Sequence, residues 1–342
     1  MSDSYLLPRR THDHLGNPRR AGFEFEFGNL PIAETAKALQ QALGGELQPI
    51  SPFESLLLNS AIGRLKVERD ADLLKSTRYR KWLENLGVAF SPGSLGHEIE
   101  TNIDNASRTL IPCEVVTDPI AFADLGLLDR LVYTLNQLGA EGTQDSIIYA
   151  FGLHINPSLP AEDSSTIVRF IQSFLLLHGW LVETAGTDRT RRYLTPYIDP
   201  FPQSYMEIVL DANYQPNQSQ LIDDYLHHNP TRNRALDMLP IMAHLDKDRV
   251  MAGLNDDERR LVKARPAFHY RLPDCKVNVP GWSVSTPWNH WVYIEKLAED
   301  SQLCLELIAA WQTHYADFRL AQNSRWVAHL SSIIVERFFS NK

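Results

Sequence analysis

Two carboxylates sit in the stretch Gly22-Phe23-Glu24-Phe25-Glu26-Phe27-Gly28, and their spacing is the most chemically suggestive feature of the chain. The stretch alternates strictly, so as a strand it turns Phe23, Phe25 and Phe27 to one face and Glu24 and Glu26 to the other. The aromatic face requires burial against a layer of helices. The two carboxylates then lie roughly 6–7 Å apart along the strand. Two like charges on a covered sheet face cost several kcal/mol unless a cation or arginines share the site. A hard cation resolves this best: carboxylate oxygens suit Mg²⁺, and Mg²⁺ commonly carries substrate phosphates. Taken alone, the motif is better read as an amphipathic edge strand with two solvated glutamates.

Further candidates lie downstream. Glu114 falls inside the apolar run Ile111-Pro112-Cys113-Glu114-Val115-Val116-Thr117, within an expected strand over residues 109–119. His154 and Asn156 share one face of a strand expected over 147–156, opposite Leu153 and Ile155. Asp70 closes a strand over 62–69, and His269 and Arg271 share a face of a last strand over 265–271. Arg189, Arg191 and Arg192 form a basic patch before Tyr193, while Arg232 and Arg234 open a helix expected over 231–250. Each has an ordinary structural alternative. Glu114 could pair with an arginine, His154 could be a satisfied core histidine, and Asp70 could form a turn. Arg232 and Arg234 could be a solvated helix start. No GxxxxGK[ST] is present and no GxGxxG follows a strand. Bound phosphates would therefore be held by metals and arginines.

The elements that must position these residues alternate irregularly. A helix whose first position is Pro31, capped by Asn29, runs to Gly44. Helical stretches follow Asp72 as far as Leu86 and cover 122–138 and 164–181. A short strand containing Glu207 precedes the 231–250 helix, and residues 286–339 read as helical, with Trp288, Trp291, Trp311 and Trp326 in the core. Successive strands carry Glu, Glu, Glu, His and Arg on their polar faces. The expected architecture is α+β: a sheet with helices packed on one face and a charged concavity on the other.

A chain of 342 residues, 44% hydrophobic and 22% charged, is long enough for a sizeable core. Its net charge of −9 argues against non-specific binding to nucleic acid or an anionic membrane. Cys113, Cys275 and Cys304 form no CxxC pair, so buried free thiols are expected. The first twenty residues are polar, carry four arginines together with His12 and His14, and lack an apolar segment of the secretory kind. The longest apolar stretch, around 170–182, is interrupted by Gln172, His178 and Gly179, so no membrane span is expected. A cytoplasmic location follows as the default.

Four ordered motifs together carry a family resemblance: Gly22-x-Glu24-x-Glu26, Val67-Glu68-x-Asp70, Glu114-Val115-Val116-Thr117-x-Pro119 and Gly152-x-His154-x-Asn156. Over residues 20–272 the chain resembles the amidoligase branch of the glutamine synthetase and glutamate–cysteine ligase superfamily. The resemblance implies a mainly antiparallel sheet funnel of the glutamine synthetase catalytic-domain type, Mg²⁺ ions and ATP. It also implies a reaction in which a carboxylate is phosphorylated and an amine then displaces phosphate to give an amide or isopeptide. Glu24, Glu26 and Glu114 would ligate the metal ions, and His154 would be a metal ligand or a phosphate contact. Asp70 would recognise or deprotonate the amine. Arg271, with Arg192, Arg232, Arg234 and His269, would contact nucleotide phosphate or a substrate carboxylate. Substrates would be small-molecule or peptide carboxylates and amines, and a partner of the ATP-grasp or amidotransferase-like kind is implied.

The late strand departs from the resemblance. Where relatives carry Glu-x-Arg, this chain has His269-Tyr270-Arg271, and the alternative Glu207-Ile208-Val209 keeps the glutamate but loses the arginine. Two other activities therefore remain open at this point: a phosphotransferase of the guanidino-kinase type, and a degenerate member that binds nucleotide without turnover. The expected organisation is an arm over 1–20, a catalytic domain over 21–285 and a helical extension over 286–342 packed on the same domain. That extension would serve a homo-oligomer interface or enlarge the core.

Overall fold

A computed structural model describes residues 4–69, 112–142, 151–185, 198–314 and 324–339. Its centre is β1 (Arg20–Phe27), on which Phe23, Phe25 and Phe27 are fully buried while Glu24 and Glu26 face the other way and stay partly open. The alternation of the sequence decides this: period-two patterning gives a strand one apolar and one polar face.

Around β1 the described residues form a nine-stranded antiparallel sheet. Its other strands are β2 (Glu46–Ser51), β3 (Glu54–Ser60), β4 (Gly63–Arg69), β5 (Cys113–Thr117), β6 (Ile120–Ala121), β7 (Leu153–Pro157), β8 (Leu236–Asp237) and β9 (His269–Tyr270). The order is β2-β3-β4-β5-β1-β7-β9-β8, with β6 pairing the start of β1. Eleven α-helices accompany it among the described residues, so the fold is α+β.

Helix α1 (Ile32–Leu43) packs under β2 to β4. Helices α3 (Ser164–Ala185) and α9 (Ser285–Glu299) pack together beneath β1, β7 and β9. There Trp288 lies 6.4 Å from Phe23, and Tyr270 touches Phe174 and Trp291. Trp288, Trp291, Trp311 and Trp326 are all buried, as the helical C-terminal sequence leads one to expect. The 22-residue α3 has a mean hydropathy of 1.3, enough by length and composition to cross a membrane, although the sequence suggested that no stretch would be. It is a core helix here, 83% of its apolar window being buried inside the protein.

A fully buried ion pair ties the sheet to α9. Arg19, just before β1, makes two bonds of 2.7 and 2.8 Å to Glu295, which also accepts from the Trp291 indole. Arg19 further donates to the backbone of Arg10 and Ser158, so both charges have the added hydrogen bonds that burial demands.

Several expectations need correction. The cap of α1 is Pro31, with no side-chain bond; Asn29 instead sits at φ 67 in the turn before it. Residues 122–138 divide into a 3₁₀ segment (Phe122–Leu127) and α2 (Leu128–Gln137). The β2–β3 hairpin was not foreseen. Glu207 lies not on a strand but on α4 (Gln203–Val209), exposed and bonded to Gln203. The expected helix over 231–250 is a turn, then β8, then α6 (Leu239–Leu245) and α7 (Lys247–Gly253); Pro240 marks the true start of α6. The 265–271 strand shrinks to the two residues of β9.

Candidate functional site

Register brings the carboxylates together. Glu26 on β1 pairs with Glu114 on β5, Glu114 with Glu68 on β4, and Glu68 with Glu54 on β3. Four glutamates thus form one row across the open face of the sheet. Lys66, one pleat along β4, bonds Glu68 and offsets part of this charge. On the other side Glu24 pairs with His154 on β7.

The contacts at Glu24 and Glu26 are close and directed. His154 Nδ1 lies 2.9 Å from Glu24 Oε2, and the Asn156 amide donates to Glu24 Oε1 at 2.9 Å. His154 Nε2 lies 3.5 Å from Glu26 Oε1, while the other oxygen of Glu26 accepts from the Gly152 N–H at 2.6 Å. His269 approaches from β9, its Nε2 3.8 Å from Glu24 Oε2 and its ring edge-on to His154. Arg265 donates to Asn156 Oδ1 at 2.9 Å and lies 3.6 Å from Glu24 Oε1.

Behind His269 stands a second layer. Asp237, on β8 and fully buried, lies 3.1 Å from His269 Nδ1 and accepts from Arg232 Nε at 3.0 Å. Arg232 also reaches His269 Nδ1 at 3.2 Å, and Arg271 donates to the Arg232 carbonyl.

These neighbours set the charge states. Burial pushes Glu24 up, but the His154 hydrogen bond and the interaction with His269 outweigh it and hold the carboxyl well below its ordinary range. Burial pushes Asp237 up too, yet the Arg232 charge and the His269 hydrogen bond bring it to about 2. For His154 burial dominates: it lowers the ring's pKa against the raising pull of Glu26 and Glu24, with Arg271 adding to the fall. At neutral pH Glu24 and Asp237 are therefore held ionised and His154 neutral, and an ionised Glu24 with a neutral His154 is a combination that ligates a cation.

Of the residues singled out from sequence, Glu24, Glu26, Glu114, His154 and His269 converge. Arg232 and Arg271 stand beside them, Arg271 close enough to influence both His154 and Asp237. Arg234 is directed elsewhere: it bonds Asn229, lies 3.8 Å from Asp199 and stacks over Phe201. Asp70 and Arg192 lie outside the described residues. Sequence reasoning missed Asp237 and Arg265 as site residues, and did not see that Glu54 and Glu68 extend the row. The position of Glu68 within Val67-Glu68-x-Asp70 was the one available signal for it.

Among the described residues, two donor sets could hold an ion: Glu24, His154 and His269, and Glu26, Glu114 and His154, the ligand atoms of each lying within 4.8 Å of one another. The chemistry fits a divalent cation. Carboxylate oxygens dominate the second set, and His269 Nε2 is buried with no hydrogen-bond partner among the described residues. Such an orphaned nitrogen beside a carboxylate is satisfied by a cation.

The model of a family described as "Putative amidoligase enzyme" matches residues 17–293, about four fifths of the chain and the whole of the site above. No curated protein and no solved structure matches. The match extends from the arm before β1 into α9, and on it the chain is a member of the amidoligase family.

Proposed function

We propose that the protein is an ATP- and Mg²⁺-dependent carboxylate–amine ligase acting through an acyl phosphate. Family membership supports amide-bond formation. The observation that carries the rest is the pair of donor sets meeting at His154, because acyl-phosphate formation brings two anions together and needs cations between them.

Glu26, Glu114 and His154, with Glu24 and His269 beside them, would hold the metal ions. Bound Mg²⁺ would neutralise and orient the γ-phosphate. The substrate carboxylate oxygen attacks the γ-phosphorus and ADP leaves. The amine nitrogen then attacks the acyl carbon, phosphate leaves, and the amine proton passes to a base. Asp70 is the sequence candidate for that base. Arg271 and Arg232 face this side of the sheet and would hold phosphate or carboxylate oxygens, for which a planar guanidinium fork is suited. Glu24, fixed by His154, Asn156 and Arg265, keeps the polar floor rigid. The carboxylate and amine are proposed to be small molecules or peptides.

Hydroxylamine tests this reading, since it captures an acyl phosphate as a hydroxamate. Purified protein, ATP, Mg²⁺ and hydroxylamine with a panel of amino acids, polycarboxylates and peptides should give hydroxamate, ADP and phosphate with at least one carboxylate. ADP with a phosphorylated product and no hydroxamate would instead make the protein a phosphotransferase. Bound MgATP with no turnover across the panel would count for a non-catalytic role.

A further inference from the structure

The turn that carries Arg232 is held from outside the sheet by α8 (Asp256–Leu261), a helix of six residues with no buried side chain. Burial of an apolar face, the usual source of helical stability in a protein, contributes little to it. Its start, Asn255-Asp256-Asp257-Glu258, has the spacing of a capping box, in which Glu258 would reach back to the Asn255 N–H. The first part of that pattern forms: Asn255 Oδ1 accepts from the Asp257 and Glu258 N–H groups, each at 3.0 Å. The Glu258 carboxylate turns the other way. Its Oε1 accepts from the Thr231 hydroxyl at 2.8 Å and its Oε2 from the Arg232 N–H at 3.0 Å. One turn along, the Leu261 carbonyl accepts from Arg232 Nη1 at 2.8 Å.

These bonds govern two arginines at once. Arg232 Nε donates to Asp237 at 3.0 Å and Nη2 lies 3.2 Å from His269 Nδ1, so its guanidinium reaches the layer behind the site. The Arg232 carbonyl accepts from Arg271 Nη1 at 2.7 Å, so the same turn also aims Arg271. The Thr231 hydroxyl oxygen in turn accepts from the Asn233 N–H at 3.1 Å, which stiffens the turn. Burial opposes the Arg232 charge, but Asp237, Glu24 and Glu258 outweigh it and keep the group protonated. One carboxylate outside the site therefore pins the backbone from which both guanidinium groups are directed.

We propose that Glu258 is a positioning residue for nucleotide binding: through the 231–232 turn it sets the directions of Arg232 and Arg271. The inference rests on the MgATP reading above and adds a residue to it. A guanidinium fork makes paired bonds to phosphate oxygens only when its plane is correctly turned, so loosening the turn weakens binding without removing either charge.

The test compares Glu258→Ala, Glu258→Gln and Asp257→Ala in the full-length protein. Asp257 is the control, an exposed carboxylate on the same helix that bonds Arg260. MgATP affinity is read by calorimetry well below the melting temperature. The Arg232 Nε–H resonance, assigned by its loss in Arg232→Lys, is read by ¹⁵N nuclear magnetic resonance without nucleotide. Glu258→Ala should weaken MgATP about tenfold or more, the cost of a lost hydrogen bond to a charged group, and should shift or broaden the Arg232 resonance. Glu258→Gln, which keeps one acceptor oxygen, should fall between that variant and wild type. It carries the test if Glu258→Ala fails to fold by circular dichroism. Asp257→Ala should stay within about twofold of wild type in affinity. A merely structural Glu258 would lower the melting temperature and leave affinity unchanged; that result, or an equal loss in Asp257→Ala, would overturn the inference. A wild type that binds no MgATP would overturn the ligase reading instead, and the Arg232 resonance would then decide the inference by itself.

Discussion

Glu26 and Glu114 stand directly opposite one another on β1 and β5, with His154 within reach of both. Like charges so placed destabilise a sheet by roughly 0.2–1 kcal/mol. Glu26→Gln should therefore leave the metal-free protein as stable as wild type or more so, by about 0.5 kcal/mol. The Gln oxygen can still accept the Gly152 N–H that Glu26 accepts at 2.6 Å. Mg²⁺ should raise the melting temperature of wild type but not of the variant. A metal-free variant that melts below wild type would count against repulsion across the pair.

The Arg19–Glu295 pair predicts a large stability effect far from the chemistry. Both side chains are buried, at 0% and 1% exposure, so removing one partner leaves an uncompensated charge. Glu295→Ala should cost about 3–5 kcal/mol. Urea denaturation should show a lower midpoint with an unchanged slope. The Arg19→Met/Glu295→Leu double variant should recover most of the loss. A loss below about 1 kcal/mol in the single variant would mean that water reaches the pair.

His290 on α9 gives a pH prediction. Burial, with the nearby Lys276 charge, lowers its pKa from the usual 6.5 to about 4. The unfolded chain takes up a proton as pH falls below about 6.5, while the folded chain resists until about 4. Stability is thus complete above the unfolded value and is lost as pH falls through this window, by up to about 3 kcal/mol. His290→Leu should flatten that part of the pH–stability curve. An unchanged slope in the variant would remove His290 as its source.

Arg271 predicts a division between binding and turnover. Arg271→Lys keeps the positive charge near His154 and Asp237 but loses the planar fork. Under the proposed mechanism, turnover should fall on the order of 10²-fold, as for loss of one oriented donor to a developing charge. The nucleotide dissociation constant should change much less. Equal losses in both would assign Arg271 to ground-state binding.

The floor of the site was legible in the sequence because its signal is local. The Phe-Glu alternation of β1 and the shared face of His154 and Asn156 on β7 need only the period of a strand. The row from Glu26 to Glu54 was not, because it depends on which strands become neighbours and in what register. Leu56-Leu57-Leu58 also blurs the alternation of β3. Asp237 and Arg265 are hidden for a related reason: β8 has two residues, Arg265 lies outside any strand, and distant pairing places both. Glu207 misled because Ile208 and Val209 are β-branched, and that local preference lost to a helix packed in the core. The expected helix over 231–250 was misplaced because Pro240, which marks the beginning of α6, lies inside it.

Calorimetric titration with ATP, with and without Mg²⁺, in wild type and in Glu24→Gln/Glu26→Gln, tests most directly whether the carboxylates of β1 hold nucleotide through metal. It needs no knowledge of the acceptor. Wild type should bind ATP tightly only when Mg²⁺ is present, and the double variant should lose that Mg²⁺-dependent gain while remaining folded. A double variant that binds MgATP as well as wild type does would contradict the account.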